Sequence, residues 1–257
     1  MTGSDVPPSF RLAYVPGVTP TKWVRIWNER LPDIPLTLVA VTAAEAPGVL
    51  RGGGADAGFV RLPIDRTDLS AIPLYTETTV VVVPKDHVLA AADEVSEEDL
   101  ADDIVLHPLD DTLGWENPPG LPAIERPETT ADAVALVGAG VGLLVVPQSL
   151  ARLHHRKDLT YRTLTGAPES RVALSWPEER TTDMVEDFIG IVRGRTVNSS
   201  RGRTAPAAQP KPSKRTGTGG APRKPAAGKS AGKTSGRSPR SGSGSPKGGR
   251  RGKPRGR

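Results

Sequence analysis

Leu50 to Pro63, LRGGGADAGFVRLP, holds Gly52-x-Gly54-x-x-Ala57, a loose form of the glycine fingerprint that cradles a dinucleotide phosphate. That chemistry needs a strand, a glycine turn and then a helix whose free N–H groups face the phosphate. Here the order is inverted: the helical stretch TAAEAPGVLRGG comes first and the strand ADAGFVRL follows. Gly52 to Gly54 therefore read as a helix C-cap and turn. Near the tail, GKSAGKTSG imitates a phosphate loop, but neither Gly228-Lys229 nor Gly232-Lys233 has a glycine five residues before its own. At the far end of the ADAGFVRL strand stands Arg61. An arginine at the carboxyl end of a strand in an open sheet either holds a carboxylate or phosphate through two hydrogen bonds or closes a local salt bridge.

Other reactive residues are scattered. His87, His107, His154 and His155 lack carboxylate partners at metal-ligand spacing, so no metal is expected. Asp102-Asp103 and Asp110-Asp111 flank the strand IVLHP and read as solvated loop acids. Ser149, in VPQSLAR, reads as a helix cap. With no nucleophile beside a base, the chain is not expected to be an enzyme, and no cofactor is implied. The absence of cysteine excludes thiol and disulfide chemistry within these residues.

The elements that would position these groups alternate. FRLAYV reads as a strand and TKWVRIWNERLP as a helix, capped by Thr19 or Thr21, with Trp23, Ile26, Trp27 and Arg30 at helical spacing. LTLVAV and ADAGFVRL are further strands, and TTVVVVP a fourth, whose valines suit burial on both faces. SEEDLAD from Ser96 is a capping box. DIVLHP, VGLLVVP, LTYRTL and RVALSW read as strands; TTADAVALVGAG, SLARLHH and TTDMVEDFIGIVRGR read as helices. Such alternation implies an α/β fold with mostly parallel sheets covered on both faces.

Charge divides the chain. Residues 1–194 hold 16 Lys and Arg against 29 Asp and Glu, a net of −13, while 195–257 hold 18 Lys and Arg and no acid. That tail, rich in Gly, Ser and Pro and without Leu, Ile or aromatics, cannot bury enough apolar surface to order itself and reads as disordered. No apolar run reaches the ~18 residues of a membrane span, and no leader opens the chain, so a cytoplasmic location without membrane contact is expected.

From Phe10 to about Arg193 the chain resembles the effector-binding domain of LysR-type transcriptional regulators. The resemblance rests on FRLAYVPGVTP, WNERLPDIPLTLVAV, LRGGGADAGFVRLP, IPLYTETTVVVVPKDHVLA, EEDLADDIVLHP, TTADAVALVGAGVGLLVVP and the closing SW…FIGIVR, in order and spacing. It implies two Rossmann-like lobes of the type 2 periplasmic-binding-protein kind over 10–194: lobe I about 10–84 and 166–194, lobe II about 85–165. A small effector, often an organic acid, would sit between them. The implied cleft residues are Pro16, Gly17, Val18 and Thr19 after the first strand, Thr42 and Ala43 after the second, and Arg61 and Leu62 at the third. Across the cleft would stand Pro108, Thr129 and Thr130 at a helix start, and Pro147. The resemblance also implies a homodimer.

Two departures shape expectations. Only nine residues precede the first strand, so the family's N-terminal helix-turn-helix is expected to be missing. The segment after IVLHP carries four prolines, Pro118, Pro119, Pro122 and Pro127, so the family's helix there is expected to be absent, with Trp115 filling part of the opened cleft. The tail, with Lys214, Arg215, Arg223, Lys224, Arg250 and Arg251 among its cations, would bind DNA or RNA backbones non-specifically by counterion release.

Overall fold

The computed structural model describes residues 8–195. The expected disorder of the tail and its nucleic-acid residues, Lys214 to Arg251, lie outside the described residues.

The first lobe is built from β1 (Phe10–Tyr14), α1 (Thr21–Arg30), β2 (Leu36–Ala40), α2 (Ala46–Arg51), β3 (Ala57–Leu62) and β4 (Leu69–Glu77). After β4 the chain crosses to a second sheet. There lie β5 (Thr79–Pro84), β6 (Glu94–Val95), β7 (Ile104–Leu106), β8 (Leu121–Pro122), α3 (Thr130–Gly138), β9 (Leu143–Pro147), α4 (Gln148–Leu153) and β10 (Leu159–Leu164). It returns as β11 (Ser170–Pro177) and closes with α5 (Asp183–Val192). The sheet orders are β2-β1-β3-β11-β4 and β6-β10-β5-β9-β7-β8.

Both sheets are mixed rather than mostly parallel. In the first, β2, β1 and β3 run parallel and β11 and β4 pair antiparallel. In the second, β5 is antiparallel to both neighbours. The reversals follow from the two crossings, which bring strands in from the opposite direction. The crossing point also differs from expectation. Thr79–Pro84, grouped from sequence with lobe I, belongs to the second sheet, so the chain crosses at Thr78. A valine run buried on both faces carries no sign of which sheet it joins.

Strand β4 is absent from the sequence expectations because Pro73 breaks its pattern. The fold places it on an edge, where a missing N–H costs no ladder bond. It also bulges there: Val172 faces Tyr75 and Ala173 faces Pro73, leaving Leu74 unpaired.

The first lobe's core is aromatic. Phe10 stacks on Trp27 at 4.6 Å, Phe188 of α5 lies 5.2 Å from Phe10, and Trp23 covers Phe59 at 4.6 Å. Trp27 is fully buried, and its Nε1 donates to the carbonyl of Ile34 at 2.9 Å, which fixes the return from α1 into β2. Helix α1 starts at Pro20 with no side-chain cap, so neither Thr19 nor Thr21 has that role. Helix α5 is capped by Thr182, whose hydroxyl accepts from the Val185 amide.

The second lobe is aliphatic. Val80, Val82, Leu144 and Val146 meet Ala133, Val134 and Val137 of α3 and Leu150 of α4 on one face. Val81, Val83, Val105, Leu143 and Val145 form the other. Residues 107–129 carry no helix, as their prolines predict. Leu113 and Trp115 from that segment pack on the second face. Trp115 therefore fills lobe II core space and does not enter the cleft.

Candidate functional site

The carboxyl ends of parallel β1 and β2 open toward α4 of the second lobe, and a cavity of about 760 Å³ lies between them. Ligands of open α/β sheets sit at this kind of place, where loops leave the strand ends and no ladder covers them. Tyr14, Pro16, Gly17, Val18 and Thr19 line one side, Ala40, Val41, Thr42 and Glu45 the next, and Ser149, Arg152 and Leu153 the third.

The loop after β1 comes close to α4. Gly17 has φ +85°, and a Cβ there would fall 2.4 Å from Ser149 Oγ and 2.9 Å from Arg61 Nη2. Glycine is required here both for its backbone and for its missing side chain.

The loop after β2 is a capping box. The Thr42 hydroxyl accepts from the Glu45 amide at 3.2 Å and donates to Glu45 Oε2 at 2.8 Å, and the Thr42 amide donates to the same oxygen at 3.2 Å. These bonds, the hydroxyl's first and then the amide's, hold the Glu45 carboxyl below its ordinary pKa. Arg152 projects from α4; its Nε donates to the Tyr161 hydroxyl at 3.2 Å. Neither Glu45 nor Arg152 forms an ion pair among the described residues.

Arg61 is not in the cavity wall. It is 5% exposed, and its guanidinium is fully engaged at both Nη atoms. Nη1 donates to Glu77 Oε2 and Ser170 Oγ, each at 2.7 Å, and Nη2 to the Pro16 carbonyl and Ser149 Oγ, each at 3.0 Å. The Ser149 hydroxyl in turn donates to Glu77 Oε2 at 2.9 Å. Glu77 ends β4 just before the first crossing, and Ser170 opens β11 just after the second. Of the two roles open from sequence, the geometry takes the ion pair, a buried one within the first lobe that reaches the second only through the Ser149 hydroxyl of α4. Ser149, expected as a cap, belongs to this cluster; α4 starts at Pro147 without a side-chain cap.

The remaining implied residues scatter. Pro16, Gly17, Val18, Thr19 and Thr42 line the cavity, but Ala43 and Leu62 pack on the first lobe's core. Pro108 is buried, its carbonyl accepting from Arg126 Nη2 at 2.7 Å. Pro147 is buried opposite Thr79. At the start of α3 the Thr129 hydroxyl exchanges bonds with Asp132, and the Thr130 hydroxyl donates to Asp110 at 2.9 Å. The positive end of that helix already faces two of the chain's own carboxylates, which oppose an added anion. Tyr14, Glu45, Arg152 and Leu153 are cavity residues missed from sequence. Only Glu45 carried a signal, the Thr-x-x-Glu of a capping box, and that signal points to a helix start.

The glycines of residues 52–54 close α2 as expected. Gly53 has φ +73°, and the Gly54 amide donates to the Val49 carbonyl at 2.8 Å. Arg180 Nη2 donates to the Leu50 and Arg51 carbonyls, each at 2.7 Å. This is the negative end of a helix with a cation already on it, the reverse of a phosphate cradle. Among the described residues, no group of three or more His, Asp or Glu gathers in a metal-holding cluster. No described helix is long and apolar enough to cross a membrane.

Comparison with known proteins agrees with this geometry. A family model described as the LysR substrate binding domain matches residues 8–196. The Hca operon transcriptional activator HcaR of Escherichia coli (strain K12) is 24% identical over 203 residues, covering 74% of this chain and 66% of that protein. A probable hydrogen peroxide-inducible genes activator of Mycobacterium avium is 34% identical over 144 residues, 52% of this chain and 46% of that protein. This chain thus spans about half to two thirds of the length of those relatives. Among solved structures, the BenM effector binding domain with its effector benzoate superposes with a TM-score of 0.61 at 21% identity, covering 74% of this chain and 92% of that one. An OxyR regulatory domain from Pseudomonas aeruginosa gives 0.57 at 19%, covering 72% and 97%. Likeness at these identities concerns the fold.

Proposed function

This chain belongs to the LysR substrate-binding domain family, and we propose that it senses a small-molecule effector between its lobes and thereby takes part in transcriptional regulation. The observation that carries this reading is the cavity. Its walls come from the strand ends of one lobe and from α4 of the other, so an occupant touches both and favours one lobe arrangement over others. An anionic effector held by Arg61, the expectation from sequence, loses its support because Glu77 already neutralises that cation. These 257 residues contain no cysteine, so no thiol within them can be the sensing group. Pairing of two copies belongs to the same proposal and is checked by sedimentation.

The test is a metabolite panel read by thermal shift on the full chain and on Thr19→Trp, which places an indole in the cavity. A ligand that raises the melting temperature of the parent but not of Thr19→Trp supports the reading. Binding equal in both, or none at all, counts against it.

The charge division favours a second reading, in which the tail holds nucleic acid while the acidic domain meets a protein partner. Removing 195–257 should then abolish a steeply salt-dependent DNA affinity. Equal DNA binding by the shortened chain overturns it.

A further inference from the structure

The cavity's charged lining is one acid and one base, and they come from different lobes. Glu45 stands at the start of α2 in the first lobe and Arg152 on α4 in the second. Both remain available. Glu45 Oε2 takes the two Thr42 bonds, and Oε1 has no protein donor among the described residues. Arg152 spends only Nε, on the Tyr161 hydroxyl, and its two Nη atoms have no protein acceptor among the described residues. The next cation, Arg61, adds no net charge because it is paired with Glu77 at 2.7 Å. Between acid and base the wall is mostly hydrocarbon: Val18, Ala40, Val41 and Leu153.

We infer that the effector is a small zwitterion of the α-amino acid class, its ammonium group on Glu45, its carboxylate on Arg152 and its side chain against the apolar wall. This rests on the cavity being the effector site. A simple carboxylate would gain Arg152 but share the cavity with an uncompensated Glu45, and a simple amine would meet the reverse. A molecule carrying both charges satisfies both lobes at once. It also bridges them, so binding and lobe position become the same event. The volume, about 760 Å³, is within the range of small-molecule sites and leaves room for a sizeable side chain.

The experiment is calorimetric titration of the full chain with the common α-amino acids, each set beside its deaminated acid and its decarboxylated amine. L-leucine, for instance, is compared with 4-methylpentanoate and 3-methylbutylamine. At least one amino acid should bind about tenfold or more tighter than either of its relatives, the scale of one charged hydrogen bond. Arg152→Gln should weaken the amino acid and its acid alike, whereas Glu45→Gln should weaken the amino acid and leave the acid unchanged or tighter. If acids alone bind, still sensitive to Arg152→Gln, the zwitterion is overturned and the cavity stands. If no member of the panel binds, the zwitterion is overturned and the effector reading is decided by the metabolite panel; if amino acids bind but ignore both substitutions, the cavity reading falls with it.

Discussion

Arg61 of the first lobe and Arg152 of the second stand at the same cavity, one behind its wall and one within it. Arg61 donates four hydrogen bonds to four protein groups, Glu77, Ser170 and the Pro16 carbonyl of the first lobe and Ser149 of the second. Among the described residues Arg152 makes a single side-chain bond, to the Tyr161 hydroxyl, and it is exposed. The same side chain, at the edge of the same cavity, is structural in one place and available in the other. What separates them is not residue type or strand-end position but whether an internal carboxylate reaches the guanidinium before a ligand can. Burial makes that choice hard to reverse, because a desolvated cation needs a permanent partner.

Breaking the buried side should have the largest effect. Glu77→Ala leaves Arg61 desolvated and unpaired, and stability should fall by about 3–5 kcal/mol, lowering the melting temperature by about 10 °C for a domain of this size. Arg61→Ala should behave similarly, by stranding Glu77. If either variant melts like the parent, Arg61 is free for a ligand after all. Gly17→Ala comes next. The added methyl meets Ser149 Oγ and Arg61 Nη2 in a left-handed backbone, at a cost of about 2 kcal/mol, and small-angle scattering should show separated lobes. Adding Ser149→Gly should recover the steric part only.

Ser149→Ala removes one acceptor and one donor from the cluster and should cost about 1 kcal/mol by chemical denaturation. Arg152→Ala lies at the other extreme: an unchanged melting temperature, with the loss appearing only in ligand affinity. The smallest effect is a shift in pH. Thr42 holds the Glu45 carboxyl below its ordinary value, so the charge is present above that depressed pKa and is lost as pH falls through it. Thr42→Val should raise the pKa back toward the ordinary value and move the acid limb of amino-acid binding to higher pH, as read by titration across pH.

Much of this was legible in the chain. The period of TKWVRIWNERLP placed Trp27 in the core, the glycines after Leu50 ended a helix, and TTADAVALVGAG began one at its threonines. The loop after β1 was expected at the cleft from the resemblance alone, and it lines the cavity. Strand β4 was hidden because Pro73 and a bulge break its alternation, and both are tolerated only at an edge that pairing defines. Arg152 and Leu153 were hidden because a short helix such as α4 shows its buried face in its pattern but not which part of the chain it faces.

By itself, then, the sequence determined the alternating α/β plan, the glycine turn after α2, the acidic body and the basic tail, and the resemblance to a sensing domain. These depend on local periodicity and composition, which need no knowledge of distant residues. The partners of Arg61 and the makeup of the cavity were decided only in three dimensions. Arg61 meets Glu77, Ser149 and Ser170 across 16, 88 and 109 residues of chain. Whether a charge is consumed or left open depends on which groups those crossings bring within hydrogen-bond reach, and spacing along a chain does not encode it.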